Sequence, residues 1–236
     1  MSPKNKPESL NRFILQIQYK PNAKLLDFRG TWAEKISAQM QLSEWKIIEN
    51  RVDVYSKNGQ SRAFVGFGDC GFATNDVPSR DFFSDQAIRL LKFIVDLKGF
   101  DSPIFVNRLG VRSTFFKPFN GTFEDLLGRY SSRFLNVSDR VFSIMNAQVV
   151  DIGGPIYFKG DRCNFNTMSG PMREDQAKQL LERSDKLPDL GLYFDIDYWR
   201  KPEQVVSNGD IHDFISQSSR ESWEKFDRIA DLVFSA

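Results

Sequence analysis

The segment PIFVNRLGVRSTFFKPF, residues 103–119, decides how the rest of the chain can fold. It is rich in β-branched and aromatic residues and lies between turn-forming residues, which is typical of a long β-strand. One face of this strand would carry Phe105, Asn107, Leu109, Val111, Ser113 and Phe115, and the other Ile104, Val106, Arg108, Gly110, Arg112, Thr114 and Phe116. Because Gly110 has no side chain, another group could approach the backbone between the two arginines.

Before this strand, the pattern predicts a strand, a helix, a hairpin and a second helix. Residues 12–19 alternate apolar and polar side chains, and apolar residues at helical spacing indicate a helix at 24–41. Strands at 45–55 and 62–74 flank the hairpin signal Asn58-Gly59, and glycines in the second strand predict a bend or a split there. An amphipathic helix follows at 83–98, with Asp81 or Ser84 as its cap and Gly99 as its stop.

After the central strand, Thr122 is expected to cap a helix at 123–134. The pattern then predicts a strand at 141–151, a turn at Gly153-Gly154-Pro155, a returning strand at 156–166, and a short helix at 172–184 opened by Gly170-Pro171. A strand at 190–200 and a long helix at 211–234, broken near Ser218-Ser219, complete the chain.

The elements occur in a similar order in two parts of the chain, residues 12–100 and 103–236. Each part begins with a strand, continues through a helix and a hairpin, and ends with a long amphipathic helix. We therefore predict a flexible lead-in at 1–11 and a single α+β domain at 12–236, with an antiparallel sheet and helices packed mainly on one face. Two similar β-α-β-β-α halves would explain this order, although an α+β chain of this length can also show it without duplication.

The composition is that of an ordinary globular protein: 41% of the residues are hydrophobic, 27% are charged, and the formal net charge is +1. This balance counts against a large non-specific nucleic-acid surface. The polar N-terminus has no apolar core like that of a signal peptide, and no run approaches the ~20 apolar residues of a membrane span, so a cytoplasmic location without membrane association is expected. Cys70 and Cys163 are expected to be free thiols, although a disulfide between them stays open.

Asp195 and Asp197 lie two residues apart in the strand at 190–200, so their carboxylates share the face opposite to Phe194 and Ile196. Paired carboxylates on a strand can hold Mg²⁺ in phosphoryl-transfer enzymes. Those enzymes also need a third acid and a phosphate cradle, and the glycine-rich residues 153–155 lack the Ser or Lys that such cradles use. The pattern favours an acidic strand paired with basic neighbours over a metal site, and we predict no cofactor.

Arg108 and Arg112 are the natural partners of these aspartates if both strands belong to one sheet. Gln16 and Gln18 of the first strand would share the same face. A mixed-charge face of this kind either forms cross-strand ion pairs or binds a partner, because arginine is suited to forked recognition of carboxylate or phosphate. Carboxylates on this face, and aromatic residues on the other, count against base stacking and therefore against nucleic acid.

His212 is the only histidine, and it lies close to Asp210 and Asp213 near the start of the last helix. A lone histidine in this position is typical of a surface residue. No serine or cysteine nucleophile with a triad context is apparent, so no catalytic residue is predicted.

The segments Asn107-Arg-Leu-Gly-Val-Arg112 and Phe194-Asp-Ile-Asp197, with the opening strand that contains Gln16-Ile-Gln18, resemble a sporadically distributed bacterial family of uncharacterised proteins. The resemblance spans most of the chain, and the segment Gly170-Pro171-Met172 is not placed in it. It implies no catalytic residues. The patchy occurrence of the family implies an accessory role, of the kind found in defence or toxin–antitoxin systems.

These patterns favour a non-catalytic binding or assembly module whose partner is another protein. Two other classes of function stay open at this point: a metal-dependent enzyme at Asp195 and Asp197, and a small-ligand carrier with a cavity between the sheet and the helices. The candidate binding residues are Arg108, Arg112, Asp195, Asp197, Gln16 and Gln18.

Overall fold

The computed structural model describes residues 9–97, 105–136, 144–145, 147, 149–182, 187–202 and 207–235, and the strands in these ranges form one antiparallel sheet. The strands are β1 (Leu10–Tyr19), β2 (Glu44–Ile47), β3 (Arg51–Tyr55), β4 (Ser61–Gly66), β5 (Asp69–Asn75), β6 (Val106–Pro118), β7 (Gly154–Lys159), β8 (Asn164–Arg173) and β9 (Leu190–Arg200). Their order across the sheet is β2-β3-β4-β5-β1-β6-β9-β8-β7. The predicted α+β class and the antiparallel sheet are therefore confirmed.

The helices lie mainly on one face of the sheet, as predicted. They are α1 (Arg29–Met40) after a 3₁₀ helix (Ala23–Phe28), α2 (Phe82–Ile94), α3 (Phe123–Arg129) continued by a π-helical turn (Tyr130–Phe134), α4 (Glu174–Leu181) and α5 (Asn208–Phe234). Apolar residues of α1, α2, α3 and α5 enter the main core on this side, which we call the helical face. In contrast, α4 packs on the opposite face, where Ala177 and Leu181 join Phe116, Tyr193 and Leu187 in a small separate cluster.

The first part of the chain forms one lateral half of the sheet, and the second part forms the other half. β1 and β6 pair at the centre, the remaining strands of the first part extend beyond β1, and those of the second part extend beyond β6. The two long helices, α2 and α5, both pack on the helical face and contact each other. This arrangement is the one that two similar halves would produce, and duplication itself stays a prediction.

Phe115 of β6 is at the centre of the main core. Its ring stacks on Phe226 at 4.4 Å between centroids and contacts Trp223 at 4.8 Å and Phe13 at 5.5 Å. Phe83 of α2 lies 5.1 Å from Phe13 on the other side. Close packing of large rings holds the long helices against the middle of the sheet and fills the space between them.

A β-bulge near the start of β6 changes one prediction about its faces. Gln18 pairs with Arg108 but Tyr19 pairs with Val106, so Asn107 is an extra residue in the ladder. Val106 is consequently buried in the main core, not on the face of the arginines. Phe105, expected on the core side, is 58% exposed. Strand periodicity cannot anticipate this change, because a bulge resets which face each earlier residue occupies.

The predicted strand at 45–55 is wrong as one element, since it forms two antiparallel strands, β2 and β3. The Ile48 amide donates to the Arg51 carbonyl at 2.9 Å, which closes a tight turn between them. The predicted split of the next strand is confirmed, because β4 ends at Gly66 and β5 begins at Asp69. The Asn58-Gly59 hairpin is also confirmed, with Gly59 at a φ of 69°.

The hairpin of the second part is shifted relative to the prediction. Its turn lies at residues 160–163, where the Gly160 amide donates to the Cys163 carbonyl, and not at residues 153–155. Gly170 and Pro171 belong to β8, and helix α4 begins only at Glu174. Pro171 is tolerated because β8 extends beyond Gly154, the first paired residue of β7, and needs no donor on that side.

The strand predicted at 141–151 lies partly outside the described residues, which do not include 141–143, 146 and 148. Ile144 and Met145 are helical, and residues 149–151 are not in a strand, so the described part of that prediction is wrong. Gly99, the predicted helix stop, also lies outside the described residues.

The terminal elements differ from the prediction at two points. The break expected near Ser218 is absent, since α5 is one continuous helix in which the Ser222 hydroxyl donates to the Ser218 carbonyl. At the other end of the chain, β1 begins at Leu10, within the expected lead-in. Asn11 is buried there and binds Asp76 and Val77 next to β5.

Candidate functional site

The candidate site lies on the sheet face opposite to α1, α2, α3 and α5, which we call the polar face. Strand alternation places Gln16 and Gln18 of β1, Arg108 and Arg112 of β6, and Asp195 and Asp197 of β9 on this face. β1, β6 and β9 are consecutive in the sheet, so all six predicted residues lie in one region. The opposite parity puts Leu192, Phe194, Ile196 and Tyr198 in the main core, so Phe194 and Ile196 lie opposite to the aspartates as predicted.

Arg112 and Asp195 form the more asymmetric of two ion pairs. Arg112 Nε donates to Asp195 Oδ1 at 2.8 Å, and Thr114 Oγ1 donates to the same oxygen at 3.0 Å. The Asp195 side chain is only 7% exposed, whereas that of Arg112 is 44% exposed. The hydrogen bond to Asp195 raises the pKa of Arg112, so this guanidinium remains fully charged. A buried carboxylate therefore holds a guanidinium that still reaches solvent.

Arg108 and Asp197 form the second pair. Arg108 Nη2 donates to Asp197 Oδ2 at 3.0 Å, and both side chains are about one quarter exposed, at 24% and 22%. A Cβ atom on Gly110 would lie 2.6 Å from Arg108 Nη1, so the guanidinium rests directly on the glycine. The open space predicted at Gly110 is thus occupied by a side chain of the same strand. Burial raises the pKa of Asp197, and the nearby Arg108 opposes this shift.

The two predicted glutamines contribute differently. Gln16 Nε2 donates to Asp69 Oδ2 of β5 at 3.2 Å. Gln18 lies between Asp69 and Arg108 in the strand register, and it extends the polar face toward the end of β1. Gln16 therefore binds Asp69 within the sheet, whereas Gln18 is assigned to the polar face by its register alone.

A third ion pair links the polar face to α4. Arg12 Nη2 lies 2.6 Å from Glu182 Oε2, just after the last residue of α4, and Arg12 Nη1 donates to the Leu181 carbonyl at 3.3 Å. The hydrogen bond from Arg12 lowers the pKa of Glu182, and the charges of Arg62 and Arg112 lower it further. Three arginines from different strands, β1, β4 and β6, thus act on one carboxylate at the surface.

Two further arginines of the polar face, Arg51 and Arg62, lie in β3 and β4 and pack over one aromatic ring. Phe64 of β4 is buried on the polar face, and the guanidinium groups of Arg51 and Arg62 lie 5.4 and 5.5 Å from its ring centroid. Arg51 also pairs with Asp53 at 3.1 Å. The Phe64 ring covers Gly71, whose Cβ would lie 2.6 Å from Phe64 Cζ. Stacking of this kind orients a guanidinium without neutralising it.

The arrangement does not suit a metal ion at Asp195 and Asp197. Each carboxylate is already bound by an arginine, and a divalent cation would have to approach against these two positive charges. No group of three or more His, Cys, Asp or Glu side chains with the geometry of a metal site occurs among the described residues. The polar face can bind an anionic group through its oriented arginines and hydrogen-bond donors.

Sequence reasoning missed several residues of this face. Alternation in β6 places Thr114 on the face of Arg112 but does not identify it as a partner of Asp195. Arg12 shares the parity of Gln16, so the alternation of β1 could have identified it. Asp69 and Arg62 required knowledge of which strands are neighbours, and no local signal marked Glu182. His212 lies at the start of α5, away from the six predicted residues, and burial lowers its pKa.

Comparisons with models of protein families and with curated proteins find no match for the chain. Among the described helices, none combines the length and the apolar character needed to cross a membrane. Cys70 is buried and Cys163 is partly buried, and both are free cysteines.

Proposed function

We propose that the chain is a non-catalytic binding or assembly module that recognises an acidic segment of a partner protein on its polar face. The observation that carries this proposal is the asymmetry of the Arg112–Asp195 pair, with a 7% exposed carboxylate and a 44% exposed guanidinium. Asp195 accepts hydrogen bonds from both Thr114 and Arg112, and it thereby holds the Arg112 guanidinium in position. Arg112 keeps donors that face solvent, where a carboxylate from outside could bind them.

A mixed-charge face suits a protein partner better than a nucleic acid. Asp69, Asp195, Asp197 and Glu182 lie among the arginines and would repel a continuous phosphate backbone. The largest aromatic cluster is on the helical face, where it cannot stack on bases. A short acidic peptide can bind to a small number of oriented guanidinium groups, such as those of Arg62 and Arg112.

The setting of this module is part of the proposal. Two free cysteines, one of them buried, suit a reducing compartment, so we place the interaction in the cytoplasm. The resemblance noted in the sequence suggests an accessory system of bacteria, such as a defence or toxin–antitoxin system, in which small modules assemble with partner proteins.

Calorimetry with a hexaglutamate peptide tests the recognition of acidic segments. We expect binding that weakens as salt is added, and that weakens about tenfold or more in an Arg62→Ala, Arg112→Ala variant, because hydrogen bonds to charged groups contribute ~1.5–3 kcal/mol each. Arg220→Ala is the matched control, since Arg220 is 70% exposed on α5 and remote from the polar face. An equal loss in the control variant, or no binding by the wild type, would contradict the proposal.

The metal-dependent alternative is tested by titrating the wild type with Mg²⁺ and Mn²⁺. Because Arg108 and Arg112 hold the two aspartates, we expect no saturable heat in the wild type. Saturable binding that disappears in an Asp195→Asn, Asp197→Asn variant would favour the enzyme over the binding module.

The alternative of a small-ligand carrier requires a cavity between the sheet and the helices. The rings of Phe13, Phe115 and Phe226 pack in this space.

A further inference from the structure

Strand β7 forms one edge of the sheet and is exposed along its whole length. It pairs with β8 on one side, and within the described part of the chain no strand pairs with its other side. All six residues are exposed, including Ile156 at 38%, Tyr157 at 78% and Phe158 at 41%. Unpaired amides and carbonyls beside exposed apolar side chains are a template for another strand.

The opposite edge of the sheet differs from β7. β2 is four residues long and carries Glu44 and Lys46, and a short, charged edge discourages pairing with other chains. In β7, the stretch from Ile156 to Phe158 carries no charge. Pro155 and Lys159 border this stretch, which limits pairing to a short segment and counts against open-ended aggregation.

A groove lies next to β7 on the helical face. It has a volume of about 470 Å³ and lies between the β7–β8 hairpin and α5. Most of the side chains that line it are apolar: Phe134, Ile156, Phe158, Phe165, Ile229 and Leu232. A strand added to β7 would direct every second side chain toward this groove.

Arg228 gives the groove a charge preference. Arg228 is exposed where it lines the groove, and it forms no hydrogen bond or ion pair with any described residue. The second cation of the groove, Lys225, already pairs with Glu221 at 2.8 Å. An unpaired guanidinium at the exposed rim of a largely apolar groove can bind an anionic group that enters the groove.

This charge argues against a second copy of the chain as the occupant. A symmetric β7–β7 pair would place the same surface of both copies in one interface, and the side chains that line the groove supply two cations, Lys225 and Arg228, and no carboxylate. A different protein can supply the missing negative charge. From the open edge, the groove and Arg228, we propose that β7 accepts an extended segment of a partner protein by strand addition.

The segment that fits this site alternates apolar side chains, which fill the groove, with one carboxylate placed to bind Arg228. Its main chain pairs with β7, and its alternate side chains give specificity. The site lies on the opposite face from Arg112 and Asp195, so it is a second binding surface and does not depend on the function proposed for the polar face.

A phage-displayed library of random short peptides is the probe that we would use. Selection on the wild-type chain, with counter-selection on a Phe158→Asp variant, is expected to enrich alternating apolar peptides with a fixed Asp or Glu. In the synthesised peptide, replacing this acid by its amide should weaken binding about tenfold, or ~1.4 kcal/mol. The same replacement should have no effect in Arg228→Gln, while Arg220→Gln, on the exposed side of the same helix, should behave like the wild type. Hydrogen exchange of the backbone amides of Gly154 and of residues 156–159 should slow when the peptide binds.

Four results would overturn the proposal. The first is that no peptide is enriched over the counter-selection, and the second is that the acid and amide peptides bind equally. A dimer that protects the β7 amides would identify a second copy as the occupant. Protection of these amides in the free monomer would show that another part of the same chain covers the edge. Loss of hexaglutamate binding alone, with the selected peptide still bound, concerns only the polar face and leaves strand addition supported.

Discussion

Arg112 Nε lies 2.8 Å from Asp195 Oδ1, although the strand register places Arg112 directly opposite Asp197. Arg112 leans along β6 toward Thr114, the residue that faces Asp195. Arg108 leans in the same direction across Gly110 and reaches Asp197. Each aspartate therefore receives one arginine through a diagonal contact, and the ion pairs depend on both register and side-chain direction.

We expect the Arg112–Asp195 pair to contribute measurably to stability. Removing Arg112 should cost more than neutralising Asp195. Arg112→Met should lower the free energy of unfolding by ~2–3 kcal/mol, because it leaves a buried carboxylate with only Thr114 as partner. Asp195→Asn should cost ~1–2 kcal/mol, since Arg112 can still reach water. Urea unfolding of the single and double variants gives the coupling energy, which we expect to be ~1 kcal/mol or more.

The exposed pair Arg80–Asp227 is the control for this cycle, with side chains 61% and 40% exposed. Its coupling energy should be below ~0.5 kcal/mol. If the coupling energy of Arg112 and Asp195 is no larger than that of the control, the carboxylate does not position the guanidinium.

Asp197 should make stability fall as the pH rises. Burial raises its pKa above the ordinary value, so between about pH 4 and the raised pKa the folded state holds a proton that the unfolded state has lost. The carboxyl group therefore favours folding less as the pH rises through this window. We expect Asp197→Asn to become more stable relative to the wild type between pH 4 and pH 7, as measured by urea unfolding at several pH values. A difference that is constant with pH would show that the pKa of Asp197 is not raised.

Two glycines of the polar face, Gly71 of β5 and Gly110 of β6, lie on either side of Gln16 of β1 and should respond differently to alanine. In Gly71→Ala the new Cβ would lie 1.9 Å from the Leu15 carbonyl oxygen, so the backbone must shift, and we expect a loss of ~3 kcal/mol. In Gly110→Ala the Cβ meets only the end of Arg108, which can move away, so the loss should be ~1 kcal/mol. Thermal and urea unfolding of both variants checks this order, and equal losses would contradict the placement of Arg108 over Gly110.

Tyr130 joins α3 and its π-helical turn to β8 through a buried hydroxyl. This hydroxyl lies 3.0 Å from the Ser169 carbonyl oxygen and 2.8 Å from Ser169 Oγ. We expect Tyr130→Phe to destabilise the fold by ~1–2 kcal/mol, because the carbonyl and hydroxyl of Ser169 stay buried without this partner. Tyr157→Phe on the exposed β7 is the matched control and should change the free energy of unfolding by less than ~0.5 kcal/mol.

Ser219 is expected to be a site where alanine stabilises the protein. It is 1% exposed on α5, and its hydroxyl finds no hydrogen-bond partner among the described residues. Ser219→Ala should therefore increase the free energy of unfolding by ~0.5–1 kcal/mol, with a further gain from helix propensity. Ser222→Ala is the comparison, since the Ser222 hydroxyl donates to the Ser218 carbonyl and its removal should give a smaller gain. A loss of stability in Ser219→Ala would indicate that its hydroxyl is satisfied.

Much of the fold follows from local periodicity. Alternation identified β1, β6 and β9, and helical spacing identified α1, α2, α3 and α5, because each pattern reports the burial of one face of a single element. The errors occur where tertiary packing decides the local structure. Pro171 lies in a strand because β7 does not extend to pair with it. Helix α5 passes unbroken through Ser218, where Ser218, Ser219 and Ser222 are buried.

The candidate site divides in the same way. Strand parity alone put Arg108 with Arg112 and Asp195 with Asp197, since residues two or four apart on a strand must share a face. The sequence could not show that β6 and β9 are neighbours, that Arg112 binds Asp195 and not Asp197, or that Glu182 approaches Arg12. These contacts join residues 83 and 170 positions apart, and strand order, register and the position of α4 bring them together only in the packed tertiary structure.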